Sequence, residues 1–255
     1  MPNEKRINLN ADLGESFGPW RMGDDEAMLA VVGAANLACG FHAGDPDIMR
    51  RSVRACRQHG VSIGAHPGYA DLQGFGRRPM ALPDESIEDL VAYQVGALQA
   101  LCALEGCELS HVKPHGALSN QACADASIAA AVIRALRSVA PRSLLLAPAR
   151  SLLAAAGAEA GLGVVEEIYA DRAYRDDGRL VARGKPDAMI SGAASIAHVL
   201  AMLREKALIS VSGKRLEAAI GSICVHGDTP GAAELARNLR TALENDGWRL
   251  TPPGA

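Results

Sequence analysis

The chain has 255 residues, of which 49% are hydrophobic and only 4% aromatic, and its formal net charge is −3. This length fits one domain with a sizeable core of small and aliphatic side chains. The mild charge, without a run of five like charges, argues against a nucleic-acid partner or a polybasic membrane surface. With no signal-peptide core and no uninterrupted apolar stretch long enough to span a bilayer, we expect a cytoplasmic protein, not a membrane protein. Its six cysteines form no C-x-x-C pair and are expected to be reduced.

Short apolar runs alternate with helical stretches along the chain. Seven runs predict buried strands, near 7–11, 35–41, 61–65, 111–114, 143–147, 164–169 and 222–226. Helices are predicted near 24–32, 46–59, 84–105, 124–139, 150–160, 187–205 and 230–246. The pairs Asp45-Pro46 and Thr229-Pro230 each predict an N-cap followed by a first-turn proline.

This alternation is typical of parallel strands joined by helical crossovers. The seven strand candidates predict an α/β fold, an irregular (β/α) barrel of seven parallel strands in a single domain over residues 1–255. An open doubly wound sheet is the alternative. Residues 209–217 alternate around Gly213 and could form a hairpin before the last strand, and the tail 251–255 is expected to be frayed.

Four of the seven histidines share one setting, in which an apolar run precedes the histidine and small or turn-forming residues follow it. The first strand ends in the same way with carboxylates. In such a barrel the side chains at the carboxyl ends of strands face one pocket. The candidates for this pocket are Asn10, Asp12, Glu15, Asn36, His42, Asp45, His66, Lys113, His115, Asp171, Arg172, His226 and Asp228. Several imidazoles beside carboxylates indicate acid–base or metal chemistry, and therefore an enzyme.

Each candidate also has a structural interpretation. Lys113, inside the run Val-Lys-Pro-His-Gly, would anchor an anion, or else form an ion pair with Asp12 or Glu15. Asp45 is equally suited to capping the helix that starts at Pro46. Two arginines of a glycine-flanked loop, Arg77 and Arg78, suit an anionic ligand, a partner surface or plain solvation. The remaining histidines, His59, His111 and His198, are given no role.

Sequence spacing leaves a metal open. Histidine and aspartate at different strand ends could bind zinc or another divalent ion. No H-x-H or H-E-x-x-H spacing occurs, so a metal site would have to be assembled in space. The sequence also lacks a G-x-x-x-x-G-K-[ST] phosphate loop, a G-x-S-x-G elbow and a G-x-G-x-x-G fingerprint.

Seven segments together resemble the LamB/YcsF family. They are INLNADLGESFG from Ile7, ANLACGFHAGDP from Ala35, IGAHPGY from Ile63, GFGRR from Gly74, VKPHGAL from Val112, ADRAYRDDGRLVAR from Ala170 and ICVHGDTPGA from Ile223. They run from the first strand to the last, so the resemblance covers nearly the whole chain.

The resemblance implies a barrel related to the glycoside hydrolase/deacetylase group. It also implies an ATP-driven hydrolase that opens the lactam of 5-oxo-L-proline to L-glutamate, working with the 5-oxoprolinase subunits B and C. ATP could then be bound mainly by those partners, and a divalent metal stays open. Such chemistry would use Asp12, His66, Lys113 and His115 as catalytic groups, and the other candidates, with Arg77 and Arg78, as substrate-binding groups. Two alternatives are a metal-dependent hydrolase of an amide or acetylated sugar, and a non-catalytic binding subunit.

Overall fold

The computed structural model describes residues 4–255. Its strands are β1 (Lys5–Leu13), β2 (Ala34–Ala38), β3 (Ser62–His66), β4 (His111–Val112), β5 (Leu144–Pro148), β6 (Val164–Tyr169), β7 (Ala207–Ile209), β8 (Arg215–Glu217), β9 (Ser222–His226) and β10 (Trp248–Leu250). Its helices are α1 (Asp25–Leu29), α2 (Pro46–His59), α3 (Asp84–Leu104), α4 (Gly116–Ala122), α5 (Ala126–Val139), α6 (Leu152–Glu159), α7 (Gly192–Glu205) and α8 (Ala232–Asn245).

Seven parallel strands close into a barrel in the order β1-β2-β3-β4-β5-β6-β9, and β9 pairs back onto β1. The predicted irregular seven-stranded barrel is therefore confirmed, and the open sheet is wrong. The strand β10 adds to the amino-terminal half of β1, where Lys5 to Ile7 pair with Trp248 to Leu250. The predicted hairpin is present as the antiparallel pair β7–β8.

The two faces of the barrel wall differ in character. In β1 the residues Ile7, Leu9, Ala11 and Leu13 belong to the apolar core that the wall shares with the helices. The residues between them are polar, and their side chains bond to other strands across the barrel interior. Because strand side chains alternate between faces, one face of each strand can pack on helices while the other lines a polar interior.

Local signals explain several helix boundaries. Asp45 begins α2, as predicted, and accepts hydrogen bonds from the backbone N–H groups of Asp47 and Ile48. Gly60 ends the same helix with a left-handed φ of 67°. Thr229 and Pro230 do not start the last helix, which begins at Ala232 after Gly231.

One helix among residues 4–255, α3, is long and apolar enough to cross a membrane by length and composition alone. Its side chains Ile87, Val91, Val95 and Leu98 are buried in the apolar core. This is the placement expected of a long core helix that covers a barrel.

Three further parts of the structure differ from the sequence predictions, and one of them is β10, which none of the predicted strands covers. The short helix α4 was not predicted, and it begins at Gly116, whose positive φ of 52° follows a strand of only two residues. The tail is not frayed where it meets the barrel, because Thr251 donates its N–H to the carbonyl of Ile7 and accepts from the side-chain amide of Asn8.

Candidate active site

The carboxyl ends of the barrel strands bring most of the predicted residues to one mouth. Asp12 is the penultimate residue of β1, His66 ends β3 and His226 ends β9. Asn10 and Asn36 lie within β1 and β2, and the other groups follow in the adjoining turns. The predicted residues that lie buried there are Asn10, Asp12, Glu15, Asn36, His42, His66, Lys113, His115 and Asp171.

Lys113 lies at the centre of this group and is only 2% exposed. Its ammonium donates to Asp12 Oδ1 at 2.9 Å and lies 3.3 Å from Glu167 Oε1. It also lies 2.9 Å from Cys224 Sγ and 5.2 Å above the ring of Tyr169. The structure therefore shows the ion pair with Asp12, while its second carboxylate partner is Glu167 and not Glu15.

A polar layer beneath Lys113 fixes Asp12. The side-chain amide of Asn36 donates to Asp12 Oδ1 at 2.8 Å and to Asn10 Oδ1 at 2.7 Å. His111, which received no role in the sequence analysis, donates from Nε2 to Asn36 Oδ1 at 2.8 Å. Burial, aided by the charge of Lys113, lowers the pKa of His111 to about 3, so this ring is neutral. The layer orients Asp12 through hydrogen bonds without adding charge.

Four residues of the interior were missed by the sequence analysis, and strand alternation carries a signal for each. His111 stands two residues before Lys113, and Glu167 and Tyr169 stand four and two residues before Asp171. The fourth, Cys224, stands two residues before His226. Because residues two apart on a strand share a face, each inward strand-end group predicts an inward residue one step deeper in the barrel.

His66 and His115 form a chain of hydrogen bonds beside Asp12. His66 donates from Nδ1 to the carbonyl oxygen of Lys113 at 2.6 Å, and His115 donates from Nε2 to the carbonyl oxygen of Phe75 at 2.8 Å. Their other nitrogens, His66 Nε2 and His115 Nδ1, lie 3.0 Å apart. Asp12 Oδ2 approaches His66 Nε2 to 3.4 Å.

His42 and Glu15 complete this side of the mouth. The His42 ring stacks on His115, with centroids 3.8 Å apart, and neither of its buried ring nitrogens has a hydrogen-bond partner among residues 4–255. Glu15 Oε1 lies 3.8 Å from His42 Nε2 and 3.9 Å from His115 Nδ1. Three imidazoles and two carboxylates therefore face one small volume.

Burial and neighbouring charges separate the two carboxylates electrostatically. Burial raises the pKa of Asp12, but the charges of His66 and Lys113 outweigh it and hold that pKa well below its usual value. Burial, together with the negative charges of Asp12 and Asp228, raises the pKa of Glu15 well above its usual value. Burial also opposes the charge of Lys113, yet the Asp12 carboxylate raises the lysine pKa well above normal. Asp12 is thus the ionised carboxylate of the site.

A second imidazole–carboxylate pair lies on the β6–β9 side. His226 Nδ1 lies 2.8 Å from Asp171 Oδ1, and its ring stacks on Tyr169 with centroids 5.2 Å apart. Burial raises the pKa of Asp171, but the charge and hydrogen bond of His226 lower it below its usual value. A carboxylate at Nδ1 orients the ring and directs Nε2 elsewhere.

An ion pair spans the mouth. Arg77, in the loop after β3, donates to Asp228 Oδ2, in the turn after β9, at 2.7 Å. The strands β1 and β2 separate β3 from β9 on one side of the barrel, and β4, β5 and β6 separate them on the other. The Arg77 guanidinium also lies 4.8 Å above the ring of Phe75. Arg77 is therefore a cation at the entrance, and about a third of its side chain is exposed.

Three predicted substrate-binding residues have other contacts. Asp45 caps α2 and also accepts from the N–H of Gly18 at 2.6 Å. Arg78 is ion-paired with Asp71 and largely exposed. Arg172 donates from Nη2 to the carbonyl of Val181 at 2.6 Å. The structure does not bring these three side chains into the group around Asp12.

A crevice of about 730 Å³ lies apart from the mouth. It lies on the outer side of the barrel, between α6, the start of β6 and β8, and is lined by residues that include Arg150, Ala154, Glu166 and Glu217. None of the polar groups around Lys113 lines this crevice, so the crevice and the candidate active site are separate features.

The model of the LamB/YcsF family matches residues 7–255. The 5-oxoprolinase A subunit of Azoarcus sp. strain BH72 is 57% identical over 246 residues, which are 96% of each chain. The corresponding 5-oxoprolinase A subunit of Rhodopseudomonas palustris strain BisB5 is 52% identical over 249 residues, 97% of this chain and 98% of that one. The crystal structure of the lactam utilization protein from Thermus thermophilus has a TM-score of 0.90 at 40% identity, covering 96% of this chain and 98% of that one.

Proposed function

The chain belongs to the LamB/YcsF family, and from this premise we propose that it is the A subunit of an ATP-dependent 5-oxoprolinase. The reaction would open the lactam ring of 5-oxo-L-proline to give L-glutamate, with ATP hydrolysed to ADP and phosphate. The names of full-length relatives support this substrate. The observation that carries the proposal is the ionised Asp12 carboxylate, which lies between Lys113 and His66 at the mouth of the barrel.

Lactam opening needs activation, because an unstrained amide carbonyl is a poor electrophile. Transfer of the γ-phosphoryl group of ATP to the lactam oxygen, with loss of ADP, makes the carbonyl carbon of the ring electrophilic enough for water to attack. Water then adds to that carbon, and the ring nitrogen takes up a proton as its bond to the carbon breaks. A second water hydrolyses the resulting acyl phosphate to glutamate and phosphate. The site must therefore supply a base for water and an acid for the ring nitrogen.

We assign the base to Asp12 and His66. Lys113 and the Asn36 amide both bond to Asp12 Oδ1, which leaves Oδ2 directed at His66 Nε2, 3.4 Å away. A charged carboxylate beside an imidazole stabilises the imidazolium that forms when the ring takes a proton from water. Lys113 acts here as a positioning residue that keeps Asp12 ionised.

The acid is assigned to His226, and the anion site to Arg77. Asp171 holds His226 through Nδ1, so the opposite nitrogen is the one available for a proton to the ring nitrogen. Arg77 pairs with Asp228 at the entrance, and its planar guanidinium suits a carboxylate or phosphate.

Partner subunits have a defined part in this proposal. The sequence has no glycine-rich phosphate loop, so we assign most of the ATP contacts to subunits B and C. The relatives' designation as A subunits implies a multi-subunit complex. All six cysteines are free thiols, which suits the reducing cytoplasm in which we place this complex.

The test is glutamate and phosphate release from 5-oxo-L-proline plus ATP. It is run with this chain alone, with co-purified B and C subunits, and with the variants Asp12→Asn and His115→Ala. His59→Ala is the matched histidine control, because His59 lies on α2 and pairs with Glu26 at the surface. Coupled release that needs the partners, survives His59→Ala and is lost in Asp12→Asn is the expected result.

Other results would redirect the assignment. Full coupled turnover in both Asp12→Asn and His115→Ala would reject the proposed site. Product formed by this chain without ATP, and abolished by a chelator, would favour the metal-dependent amide hydrolase, which the cluster of three imidazoles supports. Binding of 5-oxo-L-proline that survives loss of the Asp12 and His66 side chains, without turnover, would favour a non-catalytic binding subunit.

A further inference from the structure

Three imidazoles and one carboxylate converge at the mouth of the barrel. One ligand-capable atom from each of Glu15, His42, His66 and His115 lies within 4.8 Å of the other three, and all four side chains are buried. Four strands and their turns supply them, so no local sequence motif marks the group. Imidazole nitrogen with one carboxylate oxygen is a donor set that suits zinc and its neighbours among the transition metals, and not magnesium or calcium.

The hydrogen bonds of His66 and His115 leave two lone pairs facing each other. A backbone carbonyl only accepts, so the proton of each neutral ring lies on the nitrogen that donates to Lys113 or Phe75. The remaining nitrogens, His66 Nε2 and His115 Nδ1, are then both acceptors, yet they lie 3.0 Å apart. Two facing lone pairs at this distance require a cation between them, either a proton that leaves one ring charged or a metal ion.

The backbone carbonyls of Lys113 and Phe75 also orient the two rings. Histidines that bind a metal almost always donate their other ring N–H to a carbonyl, a carboxylate or water, which fixes the tautomer and aims the free nitrogen at the ion. Both rings make this bond here, each through a different nitrogen. The arrangement matches the outer shell of a metal site.

His42 adds an independent observation. Its ring is fully buried, and within the described part of the chain neither Nδ1 nor Nε2 has a hydrogen-bond partner. A neutral imidazole in this place leaves one hydrogen-bond donor and one acceptor unsatisfied, which is unfavourable in a protein interior. His42 Nε2 already lies 3.8 Å from Glu15 Oε1, so these two atoms face the same volume.

The separations fit a four-coordinate ion after small adjustments. Zinc bonds of 2.0–2.2 Å in a tetrahedron place neighbouring ligand atoms about 3.3–3.6 Å apart. Three of the six separations are 3.0 Å for the two imidazole nitrogens and 3.8 and 3.9 Å from Glu15 Oε1 to His42 and His115, and none of the six exceeds 4.8 Å.

Backbone packing confines the rings. A Cβ atom added at Gly68 would lie 2.7 Å from His42 Nδ1, and one at Gly76 would lie 2.9 Å from His115 Cδ2. Gly76 also has a positive φ of 64°, which other residues rarely adopt. The loop after β3 therefore approaches the imidazoles as closely as only glycine allows.

We infer that Glu15, His42, His66 and His115 form a binding site for one divalent transition-metal ion, with zinc as the ion whose geometry fits. An ion bound there would supply a Lewis acid and an activated water. His66 Nε2 would then be a ligand, and the activated water would replace the His66 base of the metal-free proposal above. The inference goes beyond the proposed lactam reaction, because metal binding is measured without substrate or partners. Metal binding by a chain that shows no 5-oxoprolinase activity even with active B and C subunits would reject the proposed function and leave the site standing.

The test uses the full chain stripped of metal by a chelator. Zn²⁺ is titrated by calorimetry with metal content measured by mass spectrometry, and Co²⁺ is added separately so that its d–d absorption reports coordination. We expect one ion per chain and a four-coordinate cobalt spectrum. Loss of an outer-shell partner already weakens metal affinity about 10–100-fold, so His66→Ala should weaken it at least about 100-fold. Glu15→Gln keeps the size of the side chain and should also weaken binding, and circular dichroism checks that each variant is folded.

His226→Ala is the matched control, because His226 stands at the same mouth but is paired with Asp171. It should bind zinc like the parent chain. Failure of the folded, stripped chain to bind Zn²⁺ or Co²⁺ would overturn the inference and leave a shared proton as the cation between His66 and His115. Binding that is lost in His226→Ala but kept in His66→Ala and Glu15→Gln would move the ion to Asp12, Cys224 and His226, and would equally overturn the assignment.

Discussion

Replacing Lys113 by methionine tests whether the buried ammonium holds the barrel interior together. Methionine keeps most of the stem length and removes the charge. In the parent chain the ammonium lies 2.9 Å from Asp12 Oδ1 and 3.3 Å from Glu167 Oε1, and neither carboxylate is more than 6% exposed. Lys113→Met therefore leaves two carboxylates in the interior without their cation.

Removing one partner of a buried ion pair typically costs about 3–5 kcal/mol. For a chain of this size each kcal/mol lowers the melting temperature by about 2–4 °C, so we expect a loss of about 6–20 °C. Differential scanning calorimetry measures it. Lys214→Met, at an exposed lysine, is the control and should change stability by no more than about 0.5 kcal/mol.

The double variant Lys113→Met/Glu167→Gln separates charge from packing. It removes one of the two orphaned carboxylates, so part of the lost stability should return, with a coupling free energy of about 1–3 kcal/mol between the two sites. A melting temperature of Lys113→Met within about 2 °C of the parent would refute the reasoning, since the expected loss is several times larger. So would full additivity of the two single changes, because it would mean that Lys113 and Glu167 do not interact.

Three further predictions concern single positions. Gly64→Ala would place a Cβ atom on His111 Nε2, and overpacking of this kind costs about 1–3 kcal/mol, so an unchanged melting temperature would contradict the packing described here. Asp45→Ala removes the cap of α2 and the acceptor for the Gly18 N–H and should cost at least about 1 kcal/mol, whereas Asp45→Asn keeps the cap but not the second acceptor and should melt between Asp45→Ala and the parent. The folded-state pKa of Asp171 is depressed, so its ionised form contributes stability above its unfolded pKa of about 3.9, and this contribution is lost as pH falls through the folded pKa. Urea unfolding should therefore show Asp171→Asn less stable than the parent at about pH 6, with the difference shrinking below about pH 4, and a difference that grows on acidification would contradict the sign.

The position of the site was predictable because local chemistry fixes it. An apolar run followed by a polar group and a turn residue ends a strand, and parallel strands of a barrel end at one mouth. Asp12, His66 and Lys113 were found in this way, and all three lie together. The barrel itself followed from the alternation of strands and helices, because that pattern is also local.

The partners within the site were not predictable to the same degree. Lys113 was expected to pair with Asp12 or Glu15, but its second carboxylate is Glu167 of β6, which only β5 separates from β4. That contact depends on the stagger of strands around the ring, which no local pattern encodes. Arg78 was expected at the mouth, but it forms an ion pair with Asp71, seven residues earlier in the same loop.

The closure of the barrel by its first and last strands has a consequence for synthesis. β1 pairs with β9, so the ring is complete only after residues 222–226 have been made. Until then β1 of a growing chain on the ribosome has one unpaired edge, and water can reach the Asp12 side chain from that side. Such long-range closure is slow compared with local folding. A truncation anywhere before residue 222 is therefore expected to lose the whole enclosed site, and not only the groups that β9 supplies.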